Sequence, residues 1–181
     1  AQRSSRPRSM GSLYWQLNDA WTSISWSSID YLGNKKALHY KLSEIYAPIL
    51  LGLDIKGRDL YDVWVSNDLQ RDIDGRVRII VEDMEGNQMF AFSEKADVKA
   101  NSCYRLPNKV NINTLNKKKS ECYARIIFME DDTILSERIH FFTYPKDLEL
   151  IETEINPNIN FKDGKYYIEF TTDVFVKDLY I

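Results

Sequence analysis

Hydrophobic and polar positions alternate with a period of two over most of the chain after Pro48. The clearest stretch is 76–82, where apolar residues at 77, 79 and 81 alternate with charged residues at 76, 78 and 82. Similar alternation predicts strands at 49–55, 59–66, 88–92, 104–112, 122–129 and 134–142. Short strands at this spacing, separated by turns such as 84–87, are typical of an immunoglobulin-like β-sandwich. We therefore predict such a sandwich over residues 47–147, in a chain that is mainly β.

The pattern before Pro48 is different. Residues 12–17 form a nearly continuous apolar run, which predicts a strand buried on both faces. Residues 21–31 are rich in Ser and Trp and have no clear period, so they predict a structured loop. Residues 35–46 carry Leu38, Leu42 and Ile45 at i, i+4 and i+7, which predicts a helix that ends before Pro48. Residues 1–46 are therefore predicted to form one strand, one long loop and one helix.

The last part of the chain predicts a second β-rich unit. Residues 144–148 have the composition of a linker, and strands are predicted at 151–155, at 165–171 and from 174 onwards. So few residues cannot close a sandwich, because such domains need roughly 100 residues. Residues 148–181 are therefore expected to be the incomplete start of a C-terminal β-sandwich domain.

Composition narrows the possible partners and cofactors. The net charge is −3 and the signs are interspersed, so we expect no nucleic-acid partner, and the basic run at 117–119 is expected to be a solvated loop. No apolar run reaches membrane-spanning length, so no membrane partner is expected. Cys103 and Cys122 are expected to be free thiols, although the sequence leaves a bridge between them open. With only two histidines, His39 and His140, we expect neither a metal site nor a cofactor.

Several segments carry a resemblance to a known family. These are Gly11-Ser-Leu-Tyr-Trp-Gln-Leu-Asn-Asp19, Trp21, Ser25-Trp-Ser-Ser-Ile-Asp-Tyr31, Lys36-Ala-Leu-His-Tyr40 and Tyr46-Ala-Pro48. Their order resembles the end of the catalytic (β/α)8 barrel in family 2 glycoside hydrolases, closest to the β-mannosidase branch. Tyr144-Pro-Lys-Asp-Leu-Glu-Leu150 resembles the junction between the two sandwiches that follow that barrel. The chain departs from the family at Ala20-Trp21-Thr22, where a bulkier or cysteine residue commonly precedes the tryptophan and a proline follows it.

The resemblance implies that residues 1–46 are the C-terminal remnant of the barrel, namely its eighth strand, the loop above it and its eighth helix. Active sites of such barrels lie at the C-terminal ends of the strands. Trp15 matches a family tryptophan that lines the subsite for the hydrolysed sugar. Asn18 and Asp19 are expected either to hydrogen-bond sugar hydroxyls or to orient the loop. The sequence leaves open that Trp15 faces the barrel interior or the helix instead.

Other polar and aromatic residues of this region are expected to be structural. Trp21 and Trp26 are expected to anchor the core of the loop, and Asp30 and His39 to hold the local structure. Outside a whole barrel, Leu13, Tyr14, Trp15 and Leu17 would lack neighbouring strands, and an exposed strand invites association. Residues 1–46 are therefore expected to pack non-natively against the sandwich, to pair with another copy, or to be supported by another chain.

The catalytic groups are expected outside this chain. Retaining glycosidases use two carboxylates about 5–5.5 Å apart, and the resemblance implies two glutamates on earlier barrel strands. Residues 1–46 contain one glutamate, Glu44, inside the predicted helix. We therefore expect the 181 residues alone to be inactive, as part of an enzyme that releases terminal β-linked mannose from glycans. The resemblance favours a periplasmic or secreted bacterial enzyme.

Two alternatives stay open. The first is another substrate of the same family, a β-galactoside, β-glucuronide or β-glucosaminide. The second is a non-catalytic carbohydrate-binding or docking module, in which Trp64, Tyr61, Phe90 and Phe92 form a sugar platform. The period-two pattern around these four aromatics instead favours a place in the sandwich core.

Overall fold

The computed structural model describes residues 2–115 and 117–179. In that part of the chain, one helix, α1 (Ala37–Ile45), precedes the strands β1 (Ile49–Ile55), β2 (Leu60–Asn67), β3 (Ile73–Asp83), β4 (Gln88–Val98), β5 (Ser102–Asn111), β6 (Cys122–Glu130), β7 (Thr133–Phe141), β8 (Pro157–Lys162) and β9 (Lys165–Phe170). Short 3-10 helices lie at Arg3–Ser5, Ile112–Thr114 and Pro145–Asp147. None of the described helices is long and apolar enough to span a membrane.

Strands β1 to β7 form the two sheets of an immunoglobulin-like β-sandwich, which confirms the predicted fold class. One sheet has the order β1-β2-β5 and the other β4-β3-β6-β7. Strand β1 pairs antiparallel with β2, from Ile49 opposite Asn67 to Ile55 opposite Tyr61. Each predicted strand of residues 49–142 has an observed counterpart, and the bounds of β1 match the prediction. The largest difference is β4, which continues six residues past its predicted end at Phe92.

The chain divides into two compact units. The first comprises residues 2–77, 94–111 and 127–138. Its core consists of fully buried side chains from five strands, among them Leu51, Val63, Val65, Val77, Val98 and Phe128. Strand β2 is the central strand of its sheet and is buried along almost its whole length, as expected when both faces of a strand are covered.

Gly52 and Trp64 pack directly against each other in this first unit. They lie opposite each other in the β1–β2 register. A Cβ atom on Gly52 would lie 2.2 Å from Cζ2 of Trp64, so the indole occupies the space that a side chain would take. The indole Nε1 donates to Asp54 Oδ1 at 3.1 Å, which fixes the orientation of the ring. The glycine is therefore required by packing rather than by its backbone conformation.

The second unit comprises residues 78–93, 112–115, 117–126 and 139–179. Its core includes Ile79, Val81, Ala124 and Ile126, and Tyr123 stacks on Phe175 with ring centroids 4.2 Å apart. Apolar positions 79 and 81 of β3 point inward as predicted. Glu82 was expected to face solvent, but it is buried because Arg125 Nη2 donates to its Oε1 at 2.9 Å.

Beyond residue 147 the strand predictions are only partly correct. Strand β9 confirms the one expected at 165–171, and it pairs with β8, which was not predicted. Asp163 and Gly164 connect them with positive φ values of 52° and 74°, as a tight hairpin turn requires. No strand forms at 151–155 or from 174 to 179, both inside the described range. The isolated apolar residues there find no partner strand.

Residues 12–17 also do not form a strand. The ordered contacts near them are two isolated bridges, Asn18 with Ile29 and Ile29 with Lys35. A strand needs a neighbour for its backbone groups, and the described residues supply only this short pairing. The predicted helix is confirmed as α1, with Leu42 as its buried residue.

Candidate functional site

The three residues expected to contact sugar lie together at the end of the segment 12–19. The Trp15 side chain is 76% exposed, and the peptide that joins it to Gln16 is cis. Asn18 is exposed, and its Nδ2 donates to the carbonyl of Asp19 at 3.2 Å. Asp19 is only 5% exposed. The segment therefore presents an indole and an amide to solvent and keeps the carboxylate inside.

Ser28 connects this segment to the other side of the loop. Its backbone N–H donates to the carbonyls of Gln16 and Leu17, both at 3.1 Å, and its hydroxyl donates to the Leu17 carbonyl at 2.9 Å. A hydroxyl carries one proton, so the 3.2 Å contact between Ser28 Oγ and Tyr14 OH is donated by the tyrosine. Tyr14 and Gln16 are thus both tied to Ser28, and Trp15 lies between two fixed neighbours.

Asp19 is held by a network of charged and hydroxyl groups. Lys36 Nζ lies 2.8 Å from Asp19 Oδ2, and it also donates to Ser27 Oγ at 2.7 Å and to Ser25 Oγ at 3.5 Å. Ser25 Oγ donates to the second carboxylate oxygen, Asp19 Oδ1. The Ser27 hydroxyl donates a hydrogen bond to the Ile29 carbonyl at 2.9 Å. Every side-chain group of the network therefore has a partner.

The network stabilises the ionised form of Asp19. The hydrogen bond from Lys36, followed by that from Ser25, holds the pKa of the Asp19 carboxyl below its usual range, and this outweighs the effect of burial. The carboxylate is thus charged at neutral pH, with one donor on each oxygen. Of the two roles expected for Asp19, this geometry favours orientation of the loop.

The expectation that Trp21 and Trp26 anchor a loop core is wrong. Their side chains are 70% and 73% exposed. The buried residues of 10–36, a range that is described throughout, are Asp19, Ser27 and Ser28. The interior of this loop is mainly polar, because an ion pair and serine hydroxyls fill it, and the large apolar side chains other than the half-buried Ile29 are exposed.

The remaining polar residues of this region have local contacts. Asp30 accepts from the backbone N–H and the Nδ2 of Asn34, at 2.8 and 2.9 Å, and these bonds lower the pKa of its carboxyl. His39 packs edge-on against Tyr40. Both residues have local contacts, and their structural role stays a prediction. Glu44 lies in α1 and bonds Lys41 at 2.5 Å.

The aromatics of the alternative sugar platform do not share one environment. Tyr61 and Trp64 are buried, as their period-two pattern predicts. Phe90 is 40% exposed and packs against Phe92 with centroids 5.6 Å apart, so the core assignment is wrong for Phe90. Trp64 is enclosed and hydrogen-bonded to Asp54, so its ring face is not available to contact a sugar.

The two cysteines are free thiols, as expected from the sequence. Burial raises the pKa of Cys103, and it raises that of Cys122 to about 11. Among the described residues, no group of three or more His, Cys, Asp or Glu side chains is arranged to hold a metal ion.

Comparison with known proteins agrees with this arrangement of sheets. Residues 59–147 match the Mannosidase Ig/CBM-like domain. A β-D-mannosidase structure from Dictyoglomus thermophilum superposes on 96% of the chain with a TM-score of 0.76 at 21% identity, using 21% of its own length. An exo-chitosanase from Amycolatopsis orientalis superposes on 88% of the chain with a TM-score of 0.60 at 16% identity, using 18% of its length. These likenesses define the class of the fold.

Sequence relatives are named as beta-mannosidases. Beta-mannosidase A of Aspergillus oryzae is 28% identical over 92% of the chain, and the beta-mannosidase of Mus musculus is 28% identical over 90%. The chain spans about a fifth of the length of these curated relatives, 20% and 19% respectively. The chain is thus β-mannosidase-like, and it resembles the C-terminal portion of a family 2 glycoside hydrolase.

Sequence reasoning missed the residues that organise the site. Lys36, Ser25, Ser27 and Ser28 lie within the segments that carry the family resemblance, but no role was predicted for them. The available signal was a cluster of four serines between an aspartate and a lysine, in a stretch without apolar periodicity.

Proposed function

We propose that this chain supplies one wall of the active site of a retaining exo-glycosidase that releases terminal β-linked mannose. Trp15 is the proposed sugar contact, Asn18 a proposed hydrogen-bond partner, and Asp19 the residue that holds their backbone. The observation that carries the proposal is the exposed indole of Trp15 between two residues tied to the buried Ser28. An aromatic face held in this way suits the C–H groups of a sugar ring.

The acidic side chains of residues 1–46 support a catalytic pair located elsewhere. Asp19 is bonded to Lys36 and Ser25, Asp30 to Asn34, and Glu44 to Lys41. A nucleophile and an acid/base of a retaining enzyme need about 5–5.5 Å between two carboxylates that both reach the glycosidic bond. We therefore place both catalytic glutamates on barrel strands outside these 181 residues and propose that the residues alone are inactive.

The direct test assays this chain and a longer chain that adds a family 2 barrel before Ala1. The 181 residues should not release p-nitrophenol from p-nitrophenyl β-mannoside above the buffer rate, whereas the longer chain should. Sustained turnover by the 181 residues through successive purification steps would contradict the proposed position of the catalytic pair. Parallel assays with the β-galactoside, β-glucuronide and β-glucosaminide identify the sugar.

The role of Trp15 is tested in the longer chain. Trp15→Ala should lower kcat/KM by about tenfold, because an aromatic contact is worth roughly 1.4 kcal/mol. Trp21→Ala and Trp26→Ala are the matched controls, since both indoles are about as exposed as that of Trp15. Equal losses in all three variants, or no loss for Trp15→Ala, would remove Trp15 from the sugar site.

A further inference from the structure

Lys36 occupies an unusual position for a lysine at the start of a helix. Its side chain turns back from the N-cap position of α1 into the loop, where its ammonium is 2.8 Å from the buried Asp19 carboxylate. All three protons of an ammonium can be donated, and Asp19, Ser25 and Ser27 are its three acceptors. The lysine therefore joins three points of the loop to the first turn of the helix.

Backbone hydrogen bonds of the loop lie beside this side-chain network. Asp19 N–H donates to the Ile29 carbonyl at 3.1 Å, and Ile29 N–H donates to the Leu17 carbonyl at 2.9 Å. Lys36 N–H donates to the Ser28 carbonyl at 2.9 Å. Lys36 thus contacts the same loop in two ways, once through its ammonium and once through its own backbone.

Apolar burial does not provide an alternative support for this loop. Its fully buried residues are Asp19, Ser27 and Ser28, and over the fully described range 10–36 its large apolar side chains are exposed except that of Ile29, which is half-buried. The Lys36 side chain is 29% exposed, whereas that of Asp19 is 3% exposed. Removal of the lysine charge leaves the enclosed Asp19 carboxylate without compensation, which is unfavourable. The order of the loop should therefore depend on Lys36 to a degree unusual for one lysine.

We infer that Lys36 is a positioning residue: through its bonds to Asp19, Ser25 and Ser27 it fixes the backbone of residues 15–19 and so the direction in which the Trp15 indole projects. The relevance of that direction to sugar recognition rests on the proposed function. The positioning itself is a property of these 181 residues and can be measured without a substrate.

The test labels the chain with 5-fluorotryptophan and records 19F spectra of Lys36→Met, Lys36→Arg and Lys35→Met. Lys35 is the neighbouring exposed lysine and provides the matched control. The four resonances are assigned by single Trp→Phe variants, and the buried Trp64 reports on the integrity of the sandwich. Amide hydrogen exchange at Asp19, Ile29 and Lys36 gives a second, independent readout.

Lys36→Met should move the Trp15 resonance to its value in the unfolded chain and speed exchange at the three amides at least tenfold, with Trp64 unchanged. Lys36→Arg should restore most of both signals, because guanidinium can donate to the same three oxygens. Lys35→Met should resemble the parent chain. An unchanged Trp15 line and unchanged exchange in Lys36→Met would overturn the inference, as would an equal effect of Lys35→Met.

The outcome separates the inference from the proposed function. A displaced Trp15 resonance in Lys36→Met, together with full activity of Trp15→Ala in the longer chain, would support the positioning role and contradict the sugar contact. If both hold, Lys36→Met in the longer chain should raise KM more than it lowers kcat, since its effect would reach the sugar only through Trp15 and Asn18.

Discussion

Replacement of Gly52 by alanine should destabilise the sandwich through a single steric contact. The new Cβ would lie 2.2, 2.5 and 2.9 Å from three ring carbons of Trp64, all too short to persist. Trp64 is 3% exposed, so its ring cannot swing into solvent, and any displacement breaks its 3.1 Å bond to Asp54. The substitution therefore overpacks the core and, as the ring shifts to relieve the clash, also costs a hydrogen bond to a carboxylate.

The magnitude follows from these two terms. Overpacking of a core costs about 1–3 kcal/mol, and a hydrogen bond to a charged group contributes about 1.5–3 kcal/mol. Alanine regains about 0.5–1 kcal/mol relative to glycine within a regular element. The free energy of unfolding should fall by about 2–5 kcal/mol, which corresponds to a melting temperature lower by roughly 4–20 °C in a chain of this size.

Urea unfolding followed by circular dichroism measures the effect. Gly57→Ala is the matched control, because the nearest atom to its new Cβ would be Leu60 Cβ at 3.7 Å, and it should change stability by less than about 0.5 kcal/mol. In a Trp64→Leu background the Gly52→Ala cost should shrink by at least about 1 kcal/mol, since the clashing ring is gone. Equal urea midpoints for Gly52→Ala and Gly57→Ala would refute the steric argument.

Three further outcomes are expected. Asn67→Ala should cost about 1–3 kcal/mol in urea unfolding, because the buried amide donates to three backbone carbonyls and accepts from the Leu69 N–H. The ion pair with Lys36 lowers the pKa of Asp19, so its stabilisation of the loop is complete above the unperturbed aspartate pKa of about 3.9 and is lost as the pH falls through the lowered pKa. The ordered Trp15 19F line should therefore persist above about pH 3.9 and disappear at lower pH, before the Trp64 line. Cys122 should react with Ellman's reagent at pH 8 at least about 100-fold more slowly than an unfolded thiol, since burial raises its pKa to about 11, and guanidinium should abolish the difference.

The sandwich could be predicted because its strands carry their own signal. Alternation at 76–82 identified β3, and β1 was predicted with its observed bounds. The pattern was misleading at Glu82, whose charge predicts exposure, because the partner that allows its burial, Arg125, is more than 40 residues away in the sequence. Alternation predicts whether a charged residue is exposed only when no oppositely charged residue from a distant part of the sequence pairs with it.

The candidate site was only partly predictable. The family resemblance located Trp15, Asn18 and Asp19, but hydrophobicity placed Trp21 and Trp26 inside the loop, where the structure has Ser27 and Ser28. A loop without apolar periodicity has no predictable buried face. Which of its residues are buried depends on which polar groups can hydrogen-bond to one another. Strand β8 was not predicted because Pro157 and two asparagines disrupt its apolar alternation. The tight turn at Asp163 and Gly164 brings it against β9 despite this weak pattern.

The polar interior of the loop at residues 14–36 has a consequence for how it responds to chemical denaturants. Urea promotes an unfolding event in proportion to the surface that the event newly exposes. Here the large apolar groups other than the half-buried Ile29 are already in water, and the enclosed groups are few and small. Opening of the loop should therefore be almost insensitive to urea below the global transition. Its amides should exchange at one rate across that range, as a local fluctuation that equilibrium denaturation curves of the sandwich do not report.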